Sequence, residues 1–213
     1  MTEIVSIEGD GPDAARAALE RCIGGGGVAI FPADTLYGLA CDPLDAEANQ
    51  RIHRIKGRDE GKPRAVMYFS PLAMRELVAG LGERSRRAIS ELLPGPVTLV
   101  VANPDRRYPL ASRDVPETLG VRLIAGPLAG AMTPILQTSA NRSGEAAPRS
   151  FEEIHDQVLA GADLAIDGGE LIGAPSTVID LSELDSAGRW EVLREGALPR
   201  GVIDRILEET ANG

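Results

Sequence analysis

Hydrophobic and polar residues follow two different periods along the chain, and these periods predict interleaved helices and strands. One amphipathic helix is predicted where apolar residues recur at three- and four-residue spacing, at Ala15, Ala18, Leu19, Cys22 and Ile23. The run Gly24–Gly27 then predicts a helix C-cap and a tight turn. Short apolar runs bounded by glycine, proline and polar residues predict buried strands. The alternation favours an α/β fold with a mixed, twisted sheet.

The same patterns set the bounds of the other predicted elements. The predicted strands are Ile4–Ile7, Val28–Phe31, Ala65–Phe69, Val97–Ala102, Leu119–Ile124, Ile135–Thr138, Leu164–Ile166, Thr177–Leu181 and Trp190–Leu193. The further predicted helices are Ala46–Ile55, Leu72–Leu81, Arg84–Leu93, Phe151–Leu159 and a last helix through Val202, Ile203, Ile206 and Leu207. Asn103–Pro116 is interpreted as a surface excursion. No clear linker divides the sequence, so we expect residues 1–213 to form one domain.

Composition and charge narrow the class of function. The chain has 213 residues, a net charge of −10 and only 3% aromatic residues, which disfavours non-specific binding of nucleic acid. Cys22 and Cys41 are too few for a disulfide framework or a zinc site, and we expect both to be core residues. The sequence has no membrane-length apolar run and no basic leader before an apolar stretch, so we expect a soluble cytoplasmic protein.

Four short polar segments beside apolar runs carry the candidate chemistry. They are Pro32–Thr35 with Tyr37–Leu39, Lys56–Arg58, Thr138–Gly144 and Pro175–Val178. Hydroxyls, an amide, glycines and paired cations near strand ends are suited to binding a polyanion. Taken singly, each segment also has an ordinary structural explanation, as a cationic helix end, an Asn/Ser turn or a strand entry.

Two arginines stand at unusual positions for a cation. Arg122 interrupts the apolar run Val121–Ile124, and Arg194 closes the predicted strand Trp190–Leu193. A cation within a strand needs an ion-pair partner or a ligand carboxylate. The residues alone leave both explanations open for each arginine.

In order and spacing these segments resemble the YrdC-like family of L-threonylcarbamoyladenylate synthases, from about Gly26 to Arg194. The family-like stretches are Phe31–Leu39, Lys56–Arg58 with Lys62 and Pro63, Leu93–Thr98, Gly120–Arg122, Thr138–Asn141, Asp167–Gly169, Ser176–Val178 and Leu193–Gly196. The resemblance implies one domain whose sheet and flanking helices surround a concave nucleotide cavity. It also implies an enzyme that makes threonylcarbamoyl-AMP and pyrophosphate from L-threonine, ATP and bicarbonate or carbon dioxide. Mg²⁺ is expected with the ATP, and no metal site of the protein's own.

The resemblance further assigns roles to individual residues. Lys56 and Arg58 are expected to bind the triphosphate and to act as the catalytic cations. Further ATP contacts are expected from Thr118, Thr138, Ser139, Asn141 and Arg194. Threonine is expected to bind Thr35, Arg122 and Ser176, with Asp34 at the same mouth. The product is expected to pass to a tRNA threonylcarbamoyltransferase complex, with only weak direct contact to tRNA.

Several positions depart from the family pattern. They bear on the identity of the amino-acid substrate more than on that of the nucleotide. Ala33 stands where threonine is usual, and Arg64 where an aliphatic residue is usual after Lys-Pro. Ile124 replaces a usual proline, and Ala174 and Pro175 precede Ser176 where a glutamate is common. Three alternatives remain: a repurposed paralogue acting on another amino acid, the related module of hydrogenase-maturation carbamoyltransferases, and an RNA-binding module.

Overall fold

The computed structural model describes residues 1–57 and 64–212. The strands are β1 (Glu3–Ser6), β2 (Ala29–Pro32), β3 (Tyr37–Cys41), β4 (Ala65–Tyr68), β5 (Val97–Ala102), β6 (Thr118–Leu123), β7 (Ile135–Ser139), β8 (Leu164–Asp167), β9 (Thr177–Asp180) and β10 (Glu191–Arg194). The helices are α1 (Ile7–Asp10), α2 (Pro12–Gly24), α3 (Ala46–Lys56), α4 (Pro71–Ala79), α5 (Glu83–Leu92), α6 (Pro109–Ser112), α7 (Asp156–Gly161), α8 (Leu184–Ala187) and α9 (Arg200–Asn212).

Within those residues all ten strands join one mixed sheet, in the order β1-β8-β2-β3-β7-β4-β6-β5-β9-β10. The sheet contains parallel pairs, such as β4 with β6 and β5 with β9, and antiparallel pairs, such as β3 with β7 and β5 with β6. This confirms the predicted α/β class and mixed sheet. It also places β6, which carries Arg122, in the interior of the sheet.

The two faces of the sheet are covered differently, and this difference creates room for a site. On one face the main core includes Ile52 of α3, Leu77 of α4, Ile89 of α5 and Leu207 of α9. On the other face α2 covers only one end, where Leu19 packs in a second core around β1, β2 and β8. Burying one such leucine stabilises the fold by about 1.5–3 kcal/mol. Because helices cover only one face along β5, this strand alternates between buried residues on the helical face and half-buried residues on the opposite face.

Two elements of this fold differ clearly from the sequence-based expectations. The fully buried strand β3 was not predicted, because Gly38 and its polar surroundings favour a loop. A Cβ on Gly38 would lie 2.7 Å from the Phe31 ring, so the close packing of β3 on β2 requires glycine there. The prediction of one helix over Phe151–Leu159 is wrong. A 3₁₀ turn over Phe151–Glu153 ends before His155, whose Nδ1 accepts a hydrogen bond from Gln157 and caps α7.

The segment Asn103–Pro116 is more ordered than a plain surface excursion, since it contains α6. The buried Asn103 side chain organises it by donating to the backbone oxygens of Arg107 and Pro116, each at 3.0 Å. The prediction for Cys41 is confirmed, and Cys22 is half-buried against the second core. No helix in the described part of the chain has both the length and the apolarity needed to cross a membrane.

Candidate active site

A cavity of about 750 Å³ opens on the face of the sheet that α2 leaves uncovered. Its floor consists of small side chains and glycines, including Ala65 of β4 and Gly120 of β6. A Cβ added to Gly120 would lie 3.3 Å from the Ala65 Cα atom, so a larger residue there would require the two strands to shift slightly. The turn between β2 and β3 and the strands β9 and β10 form the walls.

Most of the residues singled out from the sequence meet at this cavity. Its lining includes Thr35, Thr118, Arg122, Thr138, Ser139, Ser176 and Arg194. Lys56 and Asn141 lie directly beside it, in contact with Ser139. Arg58 lies outside the described residues. The polar segments that are distant in sequence therefore converge on one side of the sheet.

Lys56 is a buried cation and not a solvated one. It is the last residue of α3, which Gly57 caps in the left-handed conformation at a φ of 76°. Lys56 is only 2% exposed, and its Nζ donates to the backbone oxygens of Ser139 at 2.6 Å and Asn141 at 2.9 Å. The alternative of an exposed cation at a helix end is therefore wrong. Lys56 fixes the loop that carries Ser139 and Asn141.

The Ser139–Asn141 loop is held by further hydrogen bonds. The Ser139 hydroxyl donates to the Asn141 Oδ1, and the Asn141 Nδ2 donates to the backbone oxygen of Glu145 at 2.7 Å. The backbone nitrogen of Ala140 donates to the oxygen of Tyr37 at 2.9 Å. These contacts fix the Ser139 hydroxyl at the cavity wall before any ligand binds.

Arg122 is a buried cation on the cavity floor and forms an ion pair with Asp34. Its register opposite Met67 places it on the cavity face of the sheet. Burial lowers the pKa of the Arg122 guanidinium, Asp34 opposes that effect, and the nearby Arg194 adds to it. Arg122 thus has an internal partner and also faces the cavity.

Arg194 is bound to Ser176 in the cavity wall. Its Nη2 donates to the Ser176 backbone oxygen at 2.8 Å and to the Ser176 Oγ at 3.2 Å. The Ser176 hydroxyl also shares a hydrogen bond of 3.1 Å with the Thr98 hydroxyl. Arg194 therefore fixes the orientation of Ser176, one of the residues expected to contact the amino acid.

Other residues of the site were given no role from the sequence. Arg64, which lines the cavity and is buried, donates to the Asn49 side chain. Gln137 and Asp180 also line the cavity. Strand alternation holds a signal for Gln137, because it occupies the face of β7 opposite the main-core residue Leu136. The same alternation places Asp180 on the cavity face, because its neighbours Ile179 and Leu181 in the predicted strand Thr177–Leu181 both belong to the main core.

A tyrosine links the cavity wall to Asp167–Gly169, one of the family-like stretches. The Tyr37 hydroxyl donates to the Gly169 oxygen at 2.8 Å and accepts from the Gly168 nitrogen at 2.9 Å. Burial raises the pKa of Tyr37 to about 12. The segment Asp167–Gly169 therefore supports β3 from outside the cavity.

Fold and cavity together define an α/β protein with a hydroxyl- and arginine-lined site large enough for a nucleotide. The sequence profile of the Sua5/YciO/YrdC family, described as "Telomere recombination", matches residues 21–196. The chain therefore belongs to the Sua5/YciO/YrdC family, as the resemblance over Gly26 to Arg194 predicted.

Individual relatives and a solved structure agree with this assignment. The threonylcarbamoyl-AMP synthase of Pyrococcus abyssi is 32% identical over 86% of this chain, which spans 54% of that relative. The threonylcarbamoyl-AMP synthase of Thiobacillus denitrificans is 33% identical over 80% of this chain and 93% of its own length. The crystal structure of P. abyssi Sua5 complexed with L-threonine superposes with a TM-score of 0.81 at 30% identity, covering 97% of this chain and 60% of that one.

Proposed function

We propose that this protein is a threonylcarbamoyl-AMP synthase, which forms threonylcarbamoyl-AMP and pyrophosphate from L-threonine, ATP and bicarbonate or carbon dioxide. The relatives carry that name, and one related structure holds L-threonine. The observation that carries the proposal is the convergence of Arg122, Arg194, Ser176 and Ser139 on one cavity of about 750 Å³. Such a cavity has the size and polarity for an amino acid beside a nucleotide.

Arg122 is the residue that binds the threonine carboxylate, because its planar guanidinium matches a carboxylate in a two-point contact. Ser176 and Thr35 line the same part of the site and offer hydroxyls to the amino acid. Arg194 keeps the Ser176 hydroxyl in place. Ala33 contributes only a methyl group to this wall.

Thr118, Thr138, Ser139 and Arg194 form the ATP side of the site, and Asn141 and Lys56 fix the loop behind Ser139. Lys56 and Arg58 supply positive charge near the triphosphate. The described residues hold no group of three histidine, cysteine, aspartate or glutamate side chains able to bind a metal on their own. Mg²⁺ enters with ATP, since phosphates and water satisfy most of its coordination.

The reaction itself asks little covalent chemistry of the protein. A carbamate oxygen of N-carboxythreonine forms a bond to the α-phosphorus of ATP, the bond to the bridging α–β oxygen breaks, and pyrophosphate leaves with the electron pair. Positioning of the two reactants and stabilisation of the developing negative charge account for the acceleration. The walls of the cavity shield the labile carbamate from water.

The product serves as donor to a tRNA threonylcarbamoyltransferase complex in the cytoplasm. An RNA-binding role has less support, because the chain is acidic and the relatives are named as synthases. A second amino acid as substrate also has less support, because Thr35, Arg122 and Ser176 are all present at the cavity.

Pyrophosphate release tests this function. The purified chain is incubated with ATP and Mg²⁺, with L-threonine and bicarbonate added singly and together in buffer freed of carbon dioxide. We expect release only when both are present. Release that ignores either one, or retention of RNA without turnover, would refute the proposal.

A further inference from the structure

The ion pair of Arg122 with Asp34 spans the cavity floor. Asp34 belongs to the turn between β2 and β3, whereas Arg122 lies on β6. Strands β3, β7 and β4 lie between β2 and β6 in the sheet. Ala65 of β4 and Gln137 of β7, both on those intervening strands, line the cavity. The pair therefore crosses the space that a ligand enters and differs from an ion pair between neighbouring strand ends.

The pair leaves hydrogen-bonding groups on both partners unused. Arg122 is 4% exposed, and the bond described for its guanidinium runs from Nη2 to the Asp34 Oδ1. Within the described residues, the buried Arg122 Nε and the buried Asp34 Oδ2 have no hydrogen-bond partner. A buried arginine normally meets a carboxylate through two parallel bonds. A ligand carboxylate that replaced Asp34 and bound through two bonds would satisfy Arg122 better than Asp34 does.

The local charge also favours an incoming anion. Arg194 lies close enough to Arg122 to disfavour its charged form. Among the described residues, the cavity is lined by Arg64, Arg122, Arg194 and Asp180, and Asp34 pairs with Arg122, so positive charge exceeds negative charge there. Positive charge that is taken out of water and incompletely compensated attracts an anionic ligand strongly.

We propose that Asp34 is a specificity-determining residue whose carboxylate occupies Arg122 in the ligand-free protein and is displaced by the α-carboxylate of the amino-acid substrate. This inference rests on the proposed function, in which Arg122 binds that carboxylate. Nη2 belongs to both two-point edges of a guanidinium, so a ligand carboxylate bound to Arg122 through two bonds lies beside the Asp34 carboxylate. The two negative charges repel each other, and they therefore compete for the same cation. Of an amino acid and its amide, only the amino acid carries a carboxylate that can replace the charge of Asp34.

If Asp34 competes with the ligand, its removal should have the opposite effect on binding from the removal of a residue that helps to hold the ligand. If Asp34 competes, Asp34→Asn removes the internal counter-charge and tightens the binding of carboxylates. If Asp34 instead positions Arg122 or contacts the substrate amine, the same variant weakens binding. A purely structural role changes the binding of all ligands alike.

The test is calorimetric titration of the full chain, without ATP, with L-threonine and with L-threoninamide, which lacks the carboxylate. We expect Asp34→Asn to lower the dissociation constant for threonine by about threefold or more and to leave that for threoninamide unchanged. Asp163→Asn is the matched control, because it also removes a carboxylate from an arginine pair, with Arg51, but outside this cavity. For Asp163→Asn, the ratio of the dissociation constants for threonine and threoninamide should equal that of the wild type.

The inference would be overturned if Asp34→Asn bound threonine more weakly than the wild type, or if the variant changed the binding of both ligands equally. In either case the proposed function stands as long as the wild type binds threonine. Failure of the wild type to bind threonine would overturn both. A crystal structure of the wild type with L-threonine tests the inference without any variant. We expect Arg122 bonded to the ligand carboxylate and Asp34 displaced, and a retained bond from Nη2 to Asp34 would refute displacement.

Discussion

The Lys56 amine lies 2.6 Å from the backbone oxygen of Ser139, although 83 residues separate the two in the chain. This contact joins the end of α3 to the loop after β7 and buries a cation almost completely. The same amine also donates to the Asn141 backbone and side chain. Lys56 therefore has a structural role in the site, in addition to any charge that it contributes to nucleotide binding.

Replacement of Lys56 by alanine should destabilise the fold as well as reduce activity. The change leaves the acceptors on Ser139 and Asn141 without their donor in a buried place, and we expect a loss of about 1–3 kcal/mol in the free energy of unfolding. Urea unfolding measures this. Arg54→Ala, at an exposed position of the same helix turn, is the control and should change stability by less than about 0.5 kcal/mol. A Lys56→Ala protein as stable as the control would contradict the structural role.

Arg122→Lys should affect the amino acid and spare the nucleotide. Lysine keeps the charge but cannot make the planar two-point contact with a carboxylate. We expect the KM for threonine to rise by about tenfold or more, as for a lost charged hydrogen bond, with the KM for ATP nearly unchanged. Steady-state kinetics with each substrate varied in turn provides the measurement. A raised KM for ATP with an unaltered threonine dependence would reverse the assignment.

Tyr37→Phe should destabilise the wall of the cavity and change its response to alkali. Loss of the hydroxyl leaves the Gly168 nitrogen and the Gly169 oxygen without their partner, which costs about 1–3 kcal/mol. In the wild type, burial raises the pKa of Tyr37 to about 12, so the fold favours the neutral phenol. That contribution is complete below the unfolded pKa of about 10 and is lost as the pH rises from there through the folded value.

Urea unfolding at several values of pH between 8 and 12 measures the effect. Between about pH 10 and 12 the wild type should lose more stability than Tyr37→Phe, since the variant lacks this titrating group. Equal losses in both proteins would show that Tyr37 does not carry the alkaline effect.

Ala33→Thr tests the departure from the family pattern that most concerns the substrate. Ala33 is buried at the cavity wall, 8% exposed, and offers no hydrogen bond to the amino acid from its side chain. If the only effect of Ala33 is that the pocket lacks one hydroxyl, Ala33→Thr should bind threonine more tightly by about 0.5–1.5 kcal/mol. Titration of the wild type and of Ala33→Thr with L-threonine measures this gain, and competition between threonine and other amino acids in the wild type shows which substrate the pocket prefers. Serine or another amino acid that outcompetes threonine would show a pocket built for a different substrate.

The sequence predicts the α/β class and most elements, because their hydrophobic periods reflect which face is buried. It also singles out Arg122, because a cation within an apolar strand needs a partner, and the resemblance to the YrdC-like family points to Ser176. It misses β3, where Gly38 lowers the strand signal although tertiary packing against Phe31 requires it. It cannot distinguish a buried Lys56 from an exposed one, because its partners Ser139 and Asn141 are distant in the chain and meet it only in the fold. The pairing of Asp34 with Arg122 is hidden for the same reason.

Mass spectrometry of the products tests the central claim most directly. The protein is incubated with ATP, Mg²⁺, bicarbonate and one amino acid at a time, and ¹³C-bicarbonate marks the carbon that enters the product. We expect threonylcarbamoyl-AMP, heavier by one mass unit with the labelled bicarbonate, together with pyrophosphate and only when threonine is supplied. Formation of a different aminoacyl-carbamoyl adenylate in preference, or no adenylate of any kind from the folded protein, would contradict the account.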